Sequence, residues 1–140
     1  MIKETLLTLQ FLFASPAEWS CLAKNIYFEA RNQSTAGQIA VSHVVLNRVK
    51  SSRYPNTICG VVEQGLTSRW WKKEHGKTVM LKNKCQFSWY CDGLSDEPKE
   101  PTTWRNALVV AKDAHTLWNL GTDISEGSMW YHAQNVRPKW

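Results

Sequence analysis

The sequence predicts a single, mainly helical α+β domain with a small β element. Three observations predict it. Apolar residues recur at helical spacing in three separate stretches: Leu22, Ile26 and Ala30; Val41, Val44, Val45 and Val49; and Leu108, Ala111, Ala114, Leu117 and Trp118. One short stretch, residues 86–90, alternates polar and aromatic side chains with the period of a strand. The 140 residues contain no internal repeat, low-complexity tract or interdomain linker. A chain of this length buries about two-thirds of its unfolded surface, enough for one core.

The elements follow in order. Residues 6–14 are apolar behind Lys3 and too short to span a bilayer. Glu4 and Gln10 interrupt them, which disfavours a secretion signal cleaved within 14–17. They read as an amphipathic first helix with Leu6, Leu9, Phe13 and also Leu12 turned inward. Residues 21–31 form the next helix. Thr35 as N-cap with Gln38 three residues on opens another, which runs to Lys50; its valines lower its propensity, so packing must hold it. Tyr54 before Pro55 is pushed toward an extended conformation. Residues 57–64 make a short helix closed by Gly65, and 66–84 an irregular loop. Residues 85–91 read as a strand or hairpin, with Asp92-Gly93 as a turn. Thr102 or Thr103 caps the last long helix, which stops at Gly121. Residues 128–132 read as a short strand, with Met129 and Tyr131 on one face and Trp130 and His132 on the other.

The formal charge of +5 favours an anionic partner. No run of five or more Lys/Arg appears, so nucleic acid is not expected. Eight tryptophans exceed what a core of this size needs, and flat rings suit sugar or base platforms, although half or more would simply be packed inside. Four cysteines allow three pairings: two disulfides in an oxidising compartment, or reduced thiols in a cytosol. Cys85 and Cys91 are too far apart for a zinc knuckle, and no His lies one helical step from another. No metal and no cofactor are expected.

The candidate catalytic residue is Glu29, within Tyr27-Phe28-Glu29-Ala30-Arg31. It follows Ile26 by three residues, so it lies on the edge of the apolar stripe. A carboxyl at such an edge, beside Tyr27 and Phe28, loses water and has its pKa raised, as a general acid near neutral pH requires. The plain alternative is a solvated glutamate paired with a nearby Lys or Arg.

Five segments together resemble the spore cortex-lytic enzyme (SleB-type) family of bacterial and phage cell wall hydrolases. They are AKNIYFEAR (23–31), GQIAVSHVVLNRV (37–49), YPNTICGVV (54–62), CQFSWYCDG (85–93) and YHAQNVRPKW (131–140), in the family's order. The resemblance implies a lysozyme-like (lytic transglycosylase-like) fold over residues 20–140, with 1–19 as an N-terminal helical extension. It implies cleavage of the glycan strand of peptidoglycan, with Glu29 as the catalytic residue of a lytic transglycosylase. Where the family pattern continues Gly-Glu, this chain has Asn32-Gln33, so a second carboxylate is missing from the motif. Retaining and inverting glycosidases need two carboxylates; an acid whose nucleophile is the substrate's own C6 hydroxyl needs only itself.

Within the shared blocks, Asn47, Gln86, Ser88 and His132 are candidates for holding sugar amides and hydroxyls, and Phe87, Trp89 and Tyr131 for stacking on pyranose faces. Asn47 and Arg48 have an equal claim to a structural role, holding a carbonyl or Asp92. Arg31 reads as a charge partner that orients the site or, in preference, as a fold-holding salt bridge. The expected setting is a monomeric phage endolysin or bacterial wall-remodelling enzyme, acting on peptidoglycan in the periplasm or cell wall without stable membrane insertion. The rivals are a hydrolytic muramidase of the same fold, a non-catalytic glycan-binding module, and a metal-dependent amidase using His43, His115 or His132.

Overall fold

The computed structural model describes residues 14–132 and Arg137; the helix expected over 6–14 lies almost wholly outside them. Helix α1 (Pro16–Ala30) begins five residues before the predicted start. The Ser15 hydroxyl accepts the Glu18 amide at 3.2 Å, and Pro16 occupies the first turn, where a missing N–H costs no helical bond. Leu22, Ile26 and Ala30 are buried, as their spacing requires.

Helix α2 (Thr35–Lys50) is capped by Ser34 rather than Thr35; the Ser34 hydroxyl accepts the Gly37 amide at 3.2 Å. Gln38 makes no capping box. Its amide donates to the Ala30 carbonyl at 3.1 Å, closing the end of α1 instead. Asn32 is not among the residues with positive φ, so the turn between the two helices does not require the glycine of the family pattern. Val41, Val44, Val45, Leu46 and Val49 are buried.

Helix α3 (Ile58–Val62) is capped twice. Thr57 accepts the Gly60 amide at 2.9 Å, and Glu18 reaches across from α1 to accept the Ile58 and Cys59 amides at 2.6 and 3.3 Å. A disulfide between Cys21 and Cys59 joins the same two helices. Gly65 does not close α3 but opens strand β1 (Gly65–Thr67), antiparallel to β2 (Met80–Cys85). A Cβ at Gly65 would sit 2.7 Å from Cys85 Sγ, so the strands meet only because that position has no side chain. Between them runs α4 (Arg69–His75), so residues 66–84 are ordered rather than irregular.

The expected strand or hairpin over 85–91 is absent. A disulfide joins Cys85 to Cys91 with their Cα atoms 6.0 Å apart. A strand of that length would separate its ends by about 20 Å. The chain instead turns through a 3-10 segment (Ser88–Cys91). The alternation survives in burial: Phe87 and Trp89 lie inside while Gln86 and Ser88 stay exposed.

Helix α5 (Pro101–Asn119) has Glu100, not Thr102 or Thr103, at its N-cap, and Pro101 takes the first turn. The Glu100 amide donates to the Tyr27 hydroxyl at 3.2 Å. Ala107, Val110, Ala111, Ala114 and His115 are buried, and α5 packs against both α1 and α2. The predicted strand over 128–132 is also absent: its carbonyls bind side chains of α2 rather than another strand.

The architecture is therefore mainly helical α+β, consistent with the lysozyme-like fold the resemblance implies. Among the described residues, no helix is long and apolar enough to cross a membrane.

The two disulfides close loops of very different length. Removing Cys21–Cys59 should cost about 4 kcal/mol and removing Cys85–Cys91 about 2 kcal/mol in the chain-entropy account. Urea unfolding of the paired Cys→Ala variants checks this; equal losses would contradict it.

Candidate active site

Glu29 is half-buried on α1, at the edge of its apolar stripe. Its nearest neighbour in sequence, Phe28, stacks on Trp89 at 4.8 Å between ring centroids with the planes 19° apart. One turn earlier, the buried Asn25 accepts a hydrogen bond from Trp89 Nε1 at 2.9 Å. These two contacts hold the disulfide-closed segment 85–91 against α1 beside the glutamate. Burial raises the Glu29 pKa above the ordinary carboxylate value. The opposing influence is a hydrogen bond from the Tyr131 hydroxyl to Glu29 Oε2 at 3.2 Å, which favours the anion. Among the described residues, no charged side chain figures among the causes of this shift.

Tyr131 arrives there through a chain of polar contacts that begins on α2. Asn47 donates to Asp123 Oδ2 at 2.9 Å, to Ser125 Oγ at 3.1 Å and to the Ser128 carbonyl at 3.1 Å, and accepts from Trp118 Nε1 at 2.9 Å. Arg48 donates to the Met129 carbonyl at 2.8 Å, two residues before Tyr131. Its guanidinium also lies over the rings of Tyr54 and Phe87, at 5.2 and 5.6 Å from their centroids. Burial lowers the Arg48 pKa, with the Tyr54 and Tyr131 hydroxyls opposing. Burial and the Glu29 carboxylate push the Tyr131 hydroxyl well above its usual value, so it stays a donor at neutral pH.

Asp123 organises the turn before Tyr131. It accepts from the Ser125 and Gly127 amides at 2.8 Å each and from the Ser125 hydroxyl at 2.6 Å. Glu126 and Gly127 both take positive φ, which turns the Gly127 amide back toward the carboxylate. Burial alone would raise the Asp123 pKa, but the hydrogen bonds from Ser125, Asn47 and Gly127 win and lower it to about 2. His43, fully buried, fixes the same turn: its Nδ1 accepts the Ile124 amide at 3.0 Å and its Nε2 lies 2.9 Å from the Ala114 carbonyl. A carbonyl only accepts, so Nε2 carries the proton. Sequence reasoning missed Asp123. The signal was available in Asp123-Ile124-Ser125-Glu126-Gly127, an Asp followed by Ser and Gly at turn spacing.

Glu29 and Tyr131 are thus brought into contact from ends of the chain 102 residues apart. Gln86 and Ser88 stay exposed on the segment held beside Glu29, and His132 is exposed next to Tyr131. Three expectations need correction. Phe87 and Trp89 are buried, so their faces serve the protein rather than stacking on sugars: Trp89 supports Phe28, and Phe87 meets the Arg48 guanidinium. Asn47 directs its amide to protein partners, and the loop it holds is that of Asp123, not Asp92. Arg31 lies over the Tyr27 ring, 5.3 Å from its centroid, in place of the expected salt bridge. It lines a cleft of about 470 Å³ with Tyr27, Gln38, Asn106 and Asp113. Residues 27 and 31 face the side of α1 opposite Glu29, so this cleft is not the glutamate's.

Among the described residues, no three His, Cys, Asp or Glu side chains gather as a metal site. His115 contacts Asn119 through Nδ1 at 3.1 Å, and burial lowers its pKa.

A family model described as "Cell Wall Hydrolase" matches residues 32–140. The matched segment contains Tyr131 and begins three residues after Glu29. The chain is also similar to spore cortex-lytic enzymes. It is 46% identical over 41 residues to that of Bacillus cereus, covering 29% of this chain and 16% of the relative. It is 42% identical over 45 residues to that of Bacillus subtilis (32% and 15%), and 44% over 41 residues to that of Oceanobacillus iheyensis (29% and 15%). The matches therefore span only about a sixth of the length of these curated relatives. No solved structure matches the chain.

Replacing Asp123 with Ala removes four hydrogen bonds and leaves Asn47 without its charged partner. The expected loss is about 2–4 kcal/mol of stability. As pH falls from 3.8 toward 2, the wild type should lose the stability that the depressed Asp123 pKa confers at higher pH, and the variant should lack that dependence. Thermal unfolding across this range checks both.

Proposed function

The chain belongs to the cell wall hydrolase family, and on that premise we propose that it cleaves the bond between N-acetylmuramic acid and N-acetylglucosamine in peptidoglycan, as a lytic transglycosylase with Glu29 as its only acid–base group. Residues 20–140 form the catalytic region in this reading.

The observation that carries it is the state of Glu29: a half-buried carboxyl whose pKa burial raises, with one oxygen engaged by Tyr131. Gln33 stands where the family pattern supplies a second carboxylate. The protonated Glu29 donates to the bridging oxygen as the bond from C1 of the muramic residue breaks. The C6 hydroxyl of the same residue attacks C1 and gives its proton to the Glu29 carboxylate. The product carries a 1,6-anhydro ring, no water is consumed, and the acid is restored. Tyr131 holds Oε2 and keeps the other oxygen turned to the substrate. In this reading Gln86, Ser88 and His132, all exposed, supply hydrogen bonds to sugar substituents. The two disulfides suit action in the oxidising space where the wall lies.

Glu29→Gln should lower kcat/KM by about 10²-fold or more while wall binding persists. Mass spectrometry of muropeptides should find anhydro ends in the wild-type digest. Reducing ends throughout would favour a muramidase, and undiminished lysis by the variant would remove Glu29 from the chemistry. Tyr131→Phe removes the hydrogen bond that lowers the Glu29 pKa, so that pKa should rise further. Activity requires the protonated acid, so the alkaline limb of the pH–rate profile should move to higher pH while kcat falls. A limb that stays in place or moves down contradicts the assignment.

A further inference from the structure

The lobe formed by residues 65–85 has no part in the site described above, and its composition is unlike the rest of the chain. Arg69, Lys72, Lys73, Lys77, Lys82 and Lys84 face a single acid, Glu74, which gives the lobe a formal charge of +5. The whole chain also carries +5, so everything outside the lobe balances to zero. The entire charge excess sits on one projection.

That projection also exposes apolar surface. Helix α4 has no buried residue. Trp70 is 57% and Trp71 38% exposed, with Leu66 at 62% and Leu81 at 39% on the adjoining strands. The two indoles pack edge to face at 5.0 Å, and both contact the His75 ring. A helix this short is not stable by itself. It is held by its ends: the Ser68 hydroxyl accepts the Trp71 amide at 3.3 Å, and Gly76 at φ 62° closes the other end. The strand pair roots it in the body through the Gly65–Cys85 contact and the Cys85–Cys91 disulfide. The protein thus builds a platform, capped at both helix ends and tied to the body by a disulfide, that holds two tryptophans in water among lysines.

The geometry points to a peripheral docking surface for an anionic lipid bilayer. A phosphate polymer would engage the lysines and leave the indoles and leucines in water. A neutral glycan would use the rings and leave the charge unanswered. The headgroup boundary of an anionic bilayer uses both: indole rings settle at the level of the headgroups, and Lys and Arg are drawn to the negative surface. Only side chains enter the interface, so no spanning segment is involved. This assignment does not depend on the chemistry of Glu29.

The test uses the full chain with vesicles of pure phosphatidylcholine and vesicles containing phosphatidylglycerol, read by co-sedimentation and by the tryptophan emission maximum. Expected are binding at least tenfold tighter to the anionic vesicles with a blue shift, and weakening at 1 M salt, where screening reaches about 3 Å. Trp70→Ala with Trp71→Ala should lose at least tenfold in binding. Lys72→Gln with Lys73→Gln should lose about fivefold per lysine. Neither pair is buried, so unchanged circular dichroism and unchanged cleavage of soluble wall fragments are expected for both variants. Equal binding to neutral vesicles overturns the proposal. So does vesicle binding that survives loss of both tryptophans, or equally tight binding to polyphosphate. Self-association abolished by the tryptophan variant, without vesicle binding, would assign the surface to a second copy and overturn it as well.

Discussion

The candidate site depends on one hydrogen bond, from the Tyr131 hydroxyl to the Glu29 carboxylate, made between residues 102 positions apart. Burial on the edge of α1 pushes the Glu29 proton on; the tyrosine pulls the other way and fixes which oxygen is free. A carboxyl held by burial alone would be protonated but poorly aimed. One held by hydrogen bonds alone would be aimed but too acidic to donate near neutral pH. The combination demands that a segment near the end of the described chain be placed against the first described helix, and much of the fold serves that placement.

The placement is polar, whereas the body is apolar. α1, α2 and α5 meet through buried aliphatic side chains and small alanines, and each fully buried Leu, Ile or Val contributes roughly 1.5–3 kcal/mol. Among the described residues, none after α5 belongs to that apolar core. The segment after α5 is held by Asn47, Arg48 and His43 on α2, whose side chains take its backbone groups and the Asp123 carboxylate. Buried polar groups of this kind are costly when unpaired and directional when paired, so they fix a loop to one geometry. This gives Asn47 and Arg48 a role one step behind the candidate site: they position the segment of Tyr131, which meets Glu29.

The segment 85–91 and the lobe 65–85 divide the aromatic side chains between two uses. Phe87 and Trp89 turn inward; Trp89 braces Phe28 next to Glu29, and Phe87 lies under the Arg48 guanidinium. Trp70 and Trp71 turn outward on a platform that carries the whole charge excess of the chain. A surplus of tryptophan therefore does not translate into one platform for sugar.

The sequence by itself determined the three long helices, since the stripes at Leu22, Ile26, Ala30 and along the α2 valines depend only on local periodicity. It also determined that Glu29 sits at a stripe edge. Helix starts slipped by one to five residues where Ser or Glu stood beside Thr or Pro as competing caps. Only the tertiary structure decided the rest, because each remaining feature needs a partner distant in sequence. Period-2 alternation over 86–90 signals a strand until the Cys85–Cys91 bond draws its ends together. Residues 128–132 alternate like a strand, yet their carbonyls find α2 side chains before any neighbouring strand. The meeting of Tyr131 with Glu29 follows from that capture, and no pattern within either segment encodes it.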